Sequence, residues 1–170
     1  ILKVKGIAEY IAQQKGADMS VVKAAAILHD VAKEIGNNGL ENLVKHHLGS
    51  AEIAGIVLKA MGKSERFIMQ VQQAIKEHTG PVGKDDSDKL RFMSQMQLNY
   101  MNAFNEEVPM PEPSSLESKI LRDADMLELM SGGMVKVVTL RQSNPKMFGE
   151  ESIKDSAGSA FNSVKEAHAI

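Results

Sequence analysis

The sequence predicts an all-α protein, and three observations carry that prediction. Apolar residues recur at i, i+3, i+4 and i+7 in one segment after another. No stretch alternates apolar and polar residues with the period of a half-buried strand. Clusters of Gly, Pro, Asn and Ser interrupt the chain at helix-length intervals, without an internal repeat or low-complexity tract.

The elements follow in order. Val4, Ile7, Ala8, Ile11 and Ala12 make one face of a helix over 2–15, which Gly16 ends. Asp18 or Ser20 caps the next, over about 20–33, with Val21, Ala24, Ala25 and Leu28 on its apolar side. Gly36-Asn37-Asn38-Gly39 is a turn, and a short helix over about 40–47 leads to His46-His47. Gly49-Ser50 reads as a break. A helix over about 50–61 follows, turning Ile53, Ile56, Val57 and Ala60 inward and stopping at Gly62. Ser64-Glu65 opens a helix to about 78 that carries Phe67, Ile68, Val71, Ala74, Ile75 and His78. Thr79 to Gly83 ends it, and 84–89 is a charged loop. Leu90 to Phe104, rich in Met, is a further helix. Pro109, Pro111 and Pro113 form an extended connector, and Ser114-Ser115 cap a helix over Leu116 to Met130. Gly132-Gly133 marks a break or a close crossing, 134–142 continues as helix, and a weaker amphipathic helix lies near 152–168.

Composition narrows the function classes. At 170 residues the chain suits a single domain with a sizeable core. Its 43% hydrophobic and 25% charged residues are ordinary for a globular protein. A net charge of -2 gives no sign of a nucleic-acid-coating surface or a polybasic membrane contact. No apolar run approaches the ~20 residues needed to span a bilayer, and no signal peptide is visible. There is no Cys, so disulfides, thiolate zinc sites and Cys nucleophiles are excluded. A cytoplasmic location is expected, since Cys-free chains are compatible with a reducing compartment. The chain opens inside a helix at Ile1-Leu2-Lys3-Val4 without a Met, and residues preceding Ile1 are expected.

The stretch Ala24 to Lys33 stands apart. An apolar run ends in His29-Asp30, with Lys33 a turn later. Burying an imidazole and a carboxylate unpaired is unfavourable, and a divalent cation would offset it because both are good ligands. Taken alone, the dipeptide reads better as a satisfied core His beside a solvent-facing Asp. Three further polar points reverse that: His46 (with His47), His78 and Asp125 (with Asp123). They make one site if short antiparallel helices converge. His168, in the tail, is set aside.

Here the residues resemble a known family. The order H…HD…H…H…D is similar to that of the HD superfamily of metal-dependent phosphohydrolases. Ala25-Ala26-Ile27-Leu28-His29-Asp30-Val31-Ala32-Lys33 resembles its apolar helix ending in HD-x-x-K. His46-His47-Leu48-Gly49-Ser50-Ala51-Glu52-Ile53-Ala54 is similar to its H-x-x-x-[GS]-A-x-x-A element, which selects His46 over His47. Ile75-Lys76-Glu77-His78 resembles its I-x-x-H element. Asp123-Ala124-Asp125-Met126-Leu127-Glu128 resembles its closing D-A-D-x-L-[DE], with Asp125 at the ligand position. The family's first His ligand, four residues before a Val that Val4 fits, would fall immediately before Ile1.

The resemblance implies a compact HD-type helical bundle with a metal site in its core. Residues 1–170 would be one such domain. The stretch 84–114 would be an insertion, serving as a lid, a specificity wall, a homodimer surface or a Met-filled packing helix. Residues 143–170 would be a C-terminal extension. The implied activity is hydrolysis of a phosphate ester or anhydride of a nucleotide or related phosphorylated metabolite. A divalent metal would supply an activated water and polarise the phosphoryl oxygen. His29, Asp30 and Asp125 would hold the principal ion, and this N/O set suits Mn, Co, Ni, Fe or Zn. His46 and His78 would ligate a second ion or donate hydrogen bonds to phosphate. Asp30 would bridge the ions or orient the water. Lys33 would stabilise phosphate charge, or simply pair with Asp30 or Glu34. His47, Asp123 and Glu128 would support the ligands from outside or substitute for them. Two other readings keep the fold: a di-iron oxygenase using all six positions, and a metal-free module that binds a ligand or partner.

Overall fold

The computed structural model describes residues 1–34, 44–79 and 108–129. The expected helices over 90–104, 134–142 and 152–168 lie outside these residues, as do most of the insertion at 84–114 and all of the extension at 143–170.

Helix α1, Leu2–Lys15, presents Val4, Ala8 and Ala12 to the core at successive i+4 positions, with Ile7 and Ile11 packed beside them. Gly16 ends it in the left-handed conformation (φ 71°), which glycine reaches without steric cost, and returns its N–H to the Ala12 carbonyl. Asp18 caps helix α2, Met19–Leu28, accepting from the amides of Ser20 (2.9 Å) and Val21 (3.3 Å). Its own amide donates to Glu117 (3.0 Å), tying this turn to the last described helix. Helix α2 buries Val21, Val22, Ala25 and Ala26. Small residues suit it to the middle of the fold, where it touches every other described α-helix.

The second helix was expected to continue to about 33, but α2 ends at Leu28, and Val31–Glu34 is a short 3₁₀ helix. The cause is a competing partner: the Ala32 amide donates to the Ser50 hydroxyl (3.0 Å), not to a carbonyl of its own helix. Gly49-Ser50 was expected to break the chain after a short helix over about 40–47, of which 40–43 lie outside the described residues and Val44 is helical. Helix α3, His46–Ala60, instead runs straight through both. Gly49 lets α3 approach the 3₁₀ turn, since a Cβ there would stand 3.1 Å from that of Ala32. This docking fixes the rotation of α3. Ser50, Ala51, Ala54 and Leu58 face inward, whereas Ile56 is 72% exposed and Val57 and Ala60 also face outward, with Ile53 half-buried.

Helix α4, Glu65–Glu77, is capped by Ser64, whose side chain accepts from the Phe67 amide (3.3 Å). Val71, Ala74 and Ile75 are its buried stripe. Residues 108–113 run without helix, as the three prolines require, with Val108 buried. Ser115 and Ser118 close a capping box at the start of helix α5, Leu116–Glu128, which buries Ile120, Leu121 and Ala124. The described residues contain α-helices and a 3₁₀ turn and no strand. Helices α3 and α4 pack against each other, as do α1 and α5, and α4 also packs against α5. Apolar side chains from all five fill the space between.

Candidate metal centre

The polar site forms where helix ends meet. His29 is the C-cap of α2 and His78 the C-cap of α4. In each the ring Nδ1–H donates back to the carbonyl three residues earlier, Ala26 (3.0 Å) for His29 and Ile75 (2.6 Å) for His78. A carbonyl orphaned at a helix end is thereby satisfied, and the tautomer is set so that Nε2 carries the lone pair. His46, the first residue of α3, brings its Nε2 to 3.4 Å from that of His78. Asp30 enters from the turn after α2, and Asp125 from the last turn of α5.

These five side chains converge. His29 Nε2 lies 3.4 Å from Asp125 Oδ1 and 3.5 Å from Asp30 Oδ2, and His46 Nε2 lies 3.4 Å from Asp30 Oδ1. The imidazoles form the buried floor; the carboxylates, 24% and 31% exposed, form the rim. Two groups have donor atoms all within 4.8 Å of one another: His29, His78 and Asp125, and Asp30, His46 and His78. Because Nδ1 of His78 is engaged, both groups draw on its single Nε2.

The donor set fits a divalent ion. Imidazole nitrogens and carboxylate oxygens bind such ions at about 2.0–2.2 Å, which places neighbouring donors roughly 3.0–3.5 Å apart. The separations of 3.4–3.5 Å fall in that range. His29 Nε2 is also buried without a hydrogen-bond partner. A buried imidazole nitrogen that faces two carboxylates without a hydrogen bond is unfavourable unless something positive lies between them.

Electrostatics reflect the same crowding. Burial pushes the pKa of His29 down, but the Asp125 and Asp30 carboxylates outweigh it and leave it raised. Burial pushes Asp125 up, yet His29, His78 and Lys33 pull it down to about 2. Burial dominates at His78, lowering it to about 3 and keeping the ring neutral.

The remaining candidates divide. Lys33 reaches the rim from the 3₁₀ turn and pairs with Asp30, its Nζ 2.8 Å from each carboxylate oxygen. His47 points elsewhere: it is fully buried, with Nε2 donating to the Pro109 carbonyl (2.7 Å). Asp123 lies beside Arg122 (3.7 Å), and burial raises its pKa. Neither Asp123 nor Glu128, half-buried at the end of α5, belongs to either donor group. Sequence reasoning passed over Ser50, which anchors the turn carrying Asp30 and Lys33, and Glu77, whose buried carboxylate accepts from the Ser114 amide and hydroxyl (both 2.8 Å). The signal for Ser50 was its place in the H-x-x-x-[GS]-A element; Glu77 carried none.

The family model for the HD domain matches residues 1–130. The chain belongs to the HD-domain family. In this HD domain the His-Asp dipeptide occupies the turn between α2 and the 3₁₀ helix, at the meeting point of the four polar segments. Among solved structures, one that the chain is similar to is the HD domain of the L. monocytogenes phosphodiesterase PgpH. It is 15% identical, with a TM-score of 0.46, covering 98% of this chain and 90% of that one. No curated protein matches the HD-domain chain at a significant level.

Proposed function

We propose that this HD-domain protein is a metal-dependent phosphohydrolase that cleaves a phosphate ester or anhydride of a nucleotide or related phosphorylated metabolite. The observation that carries the reading is the convergence of three imidazole Nε2 atoms and two carboxylates, with His29 Nε2 buried without a hydrogen bond. His29, Asp30, His78 and Asp125 would hold the ion, with His46 as a further ligand or a donor to phosphate. The set suits Mn, Co, Ni, Fe or Zn. When bound, such an ion makes water nucleophilic near neutral pH and withdraws charge from a phosphoryl oxygen.

The chain's own residues do the rest. The backbone bonds at Nδ1 of His29 and His78 hold those rings in one orientation, so little reorganisation accompanies binding. The buried imidazole floor excludes bulk water from one side, and substrate enters over the rim formed by Asp30, Asp125 and Lys33. Asp30 orients the attacking water, and the ammonium of Lys33, 29% exposed, is placed to meet phosphate oxygens at the open edge. We further propose a single HD-type domain over 1–170, with 84–114 as an insertion shaping specificity and 143–170 as an extension. We place this protein in the cytoplasm. Among the described residues no helix is long and apolar enough to cross a membrane.

The test is release of phosphate or pyrophosphate from a nucleotide panel by Mn- or Co-loaded protein. Turnover should vanish in His29→Ala. Equal background rates in the parent and this variant would refute the hydrolase reading.

A further inference from the structure

Glu77, the last residue of α4, is only 8% exposed, and no cation pairs with it among the described residues. Its carboxylate is met by hydrogen-bond donors instead. Oε2 accepts from the Ser114 amide (2.8 Å), and Oε1 from the Ser114 hydroxyl (2.8 Å) and the Gln73 amide (3.1 Å). Gln73 also donates to the Ser114 oxygen (2.7 Å), closing the cluster. The carboxylate thus sits against the start of α5, where a negative charge is favoured.

The next residue in the chain is His78, and α5 carries Asp125. At ~1.5 Å per residue, Asp125 stands roughly 14 Å along α5 from Leu116. Two consecutive residues at the end of α4 therefore meet the α5 segment at two separate places: Glu77 bonds Ser114, just before its start, and His78 lies with a donor atom within 4.8 Å of one of Asp125. The apolar contacts between these helices are non-directional and tolerate sliding. Hydrogen bonds to a fixed carboxylate do not. We infer that Glu77 is a positioning residue for the metal centre: by holding the start of α5 against the end of α4, it sets the axial position of α5 and hence where Asp125 meets His29 and His78. The inference rests on the metal-centre reading above.

Co²⁺ titration followed by visible absorption, on protein shown folded by circular dichroism at the same temperature, tests it. Glu77→Ala should weaken Co²⁺ binding by about 10–100-fold, the usual loss when an outer partner is removed. Its absorption bands should change, because Asp125 no longer meets the ion in the same place. Glu77→Gln keeps an oxygen for the Ser114 amide and should recover part of the affinity. Leu58→Ala, a core truncation at the far end of α3, should lower stability while leaving affinity and spectrum unchanged. Should Glu77→Ala fail to fold, Ser114→Ala decides, since it removes one donor to the carboxylate and should weaken binding in the same direction. Parent protein that takes up no Co²⁺ overturns the metal-centre reading and this inference together. Parent-like affinity and spectrum in the folded Glu77 variant, or in Ser114→Ala where that decides, overturn this inference alone.

Discussion

His29 and His78 close α2 and α4 in the same way, and their rings meet edge to face, 5.1 Å between centroids and 86° apart. Each spends its Nδ1–H on the backbone of its own last turn, so each has one nitrogen to offer. The two are nonetheless unequal. His29 serves one donor group, whereas His78 serves both.

That asymmetry yields a ranking. His78→Ala should lose more metal affinity than either His29→Ala or His46→Ala, and more than the roughly 10–100-fold typical of outer partners. Equilibrium dialysis of the three variants against Mn²⁺ or Co²⁺ checks it. Equal losses would show that His78 does not join the two groups.

His46 and His47 are neighbours with opposite expected phenotypes. The ring of His47 is buried and bonded to the Pro109 carbonyl, away from the donor cluster. His47→Ala should therefore destabilise the fold by roughly 2–4 kcal/mol through a cavity and a lost hydrogen bond. Metal affinity in the folded variant should stay at the parent value. Urea denaturation and metal titration on one sample separate the two effects.

The helix ends were legible where the cap is local. Gly16, Asp18, Ser64 and Ser115 act on amides or carbonyls within a turn of themselves, and the helix ends they cap lie where the sequence places them. What escaped depends on distant partners. The 3₁₀ turn exists because Ser50 reaches Ala32 across eighteen residues, and nothing near Ala32 announces that. The rotation of α3 was misjudged for the same reason: Ile56 and Val57 look like core residues until Gly49 and Ser50 are docked. His29-Asp30 drew attention only together with His46, His78 and Asp125, since the dipeptide alone reads as an ordinary core His beside an Asp; the structure brings these five side chains to one place. Glu77 was invisible, since its partner Ser114 lies thirty-seven residues away.

Ser50 supplies a third prediction. Ser50→Ala leaves the buried Ala32 amide without an acceptor, which costs about 1–3 kcal/mol. Because the same turn carries Asp30 and Lys33, metal affinity should fall as well. Ser50→Thr keeps the hydroxyl and should retain more affinity than Ala. Thermal melts and Co²⁺ titration of both variants are the measurement.

The pH dependence should change sign when metal is added. In metal-free protein His29 has a pKa raised above 6.5, because the carboxylates beside it outweigh burial. A raised group contributes stability below its unfolded pKa, and that contribution disappears as pH rises through the folded value. Asp125, drawn down to about 2 from 3.8, contributes above 3.8 and loses its contribution as pH falls toward about 2. Metal-free protein should thus weaken on both sides of this window. A divalent ion requires neutral imidazole, so its binding displaces the His29 proton and tightens as pH rises. Melting temperatures against pH, with and without Mn²⁺, should diverge above pH 6.5. Parallel curves would remove His29 from the ion's ligands.

Metal removal gives the last test. An ion that binds only the folded chain stabilises it by about 2.7 kcal/mol when free ion is a hundredfold above Kd. For a chain of 170 residues that raises Tm by roughly 5–10 °C. Chelation should return the melt to its metal-free position without loss of helix signal, since the apolar contacts around α2 do not involve the site. The His29→Ala variant, lacking one donor of the first group, should show little or no shift at the same ion concentration. A full shift in that variant would place the stabilising ion elsewhere on the chain.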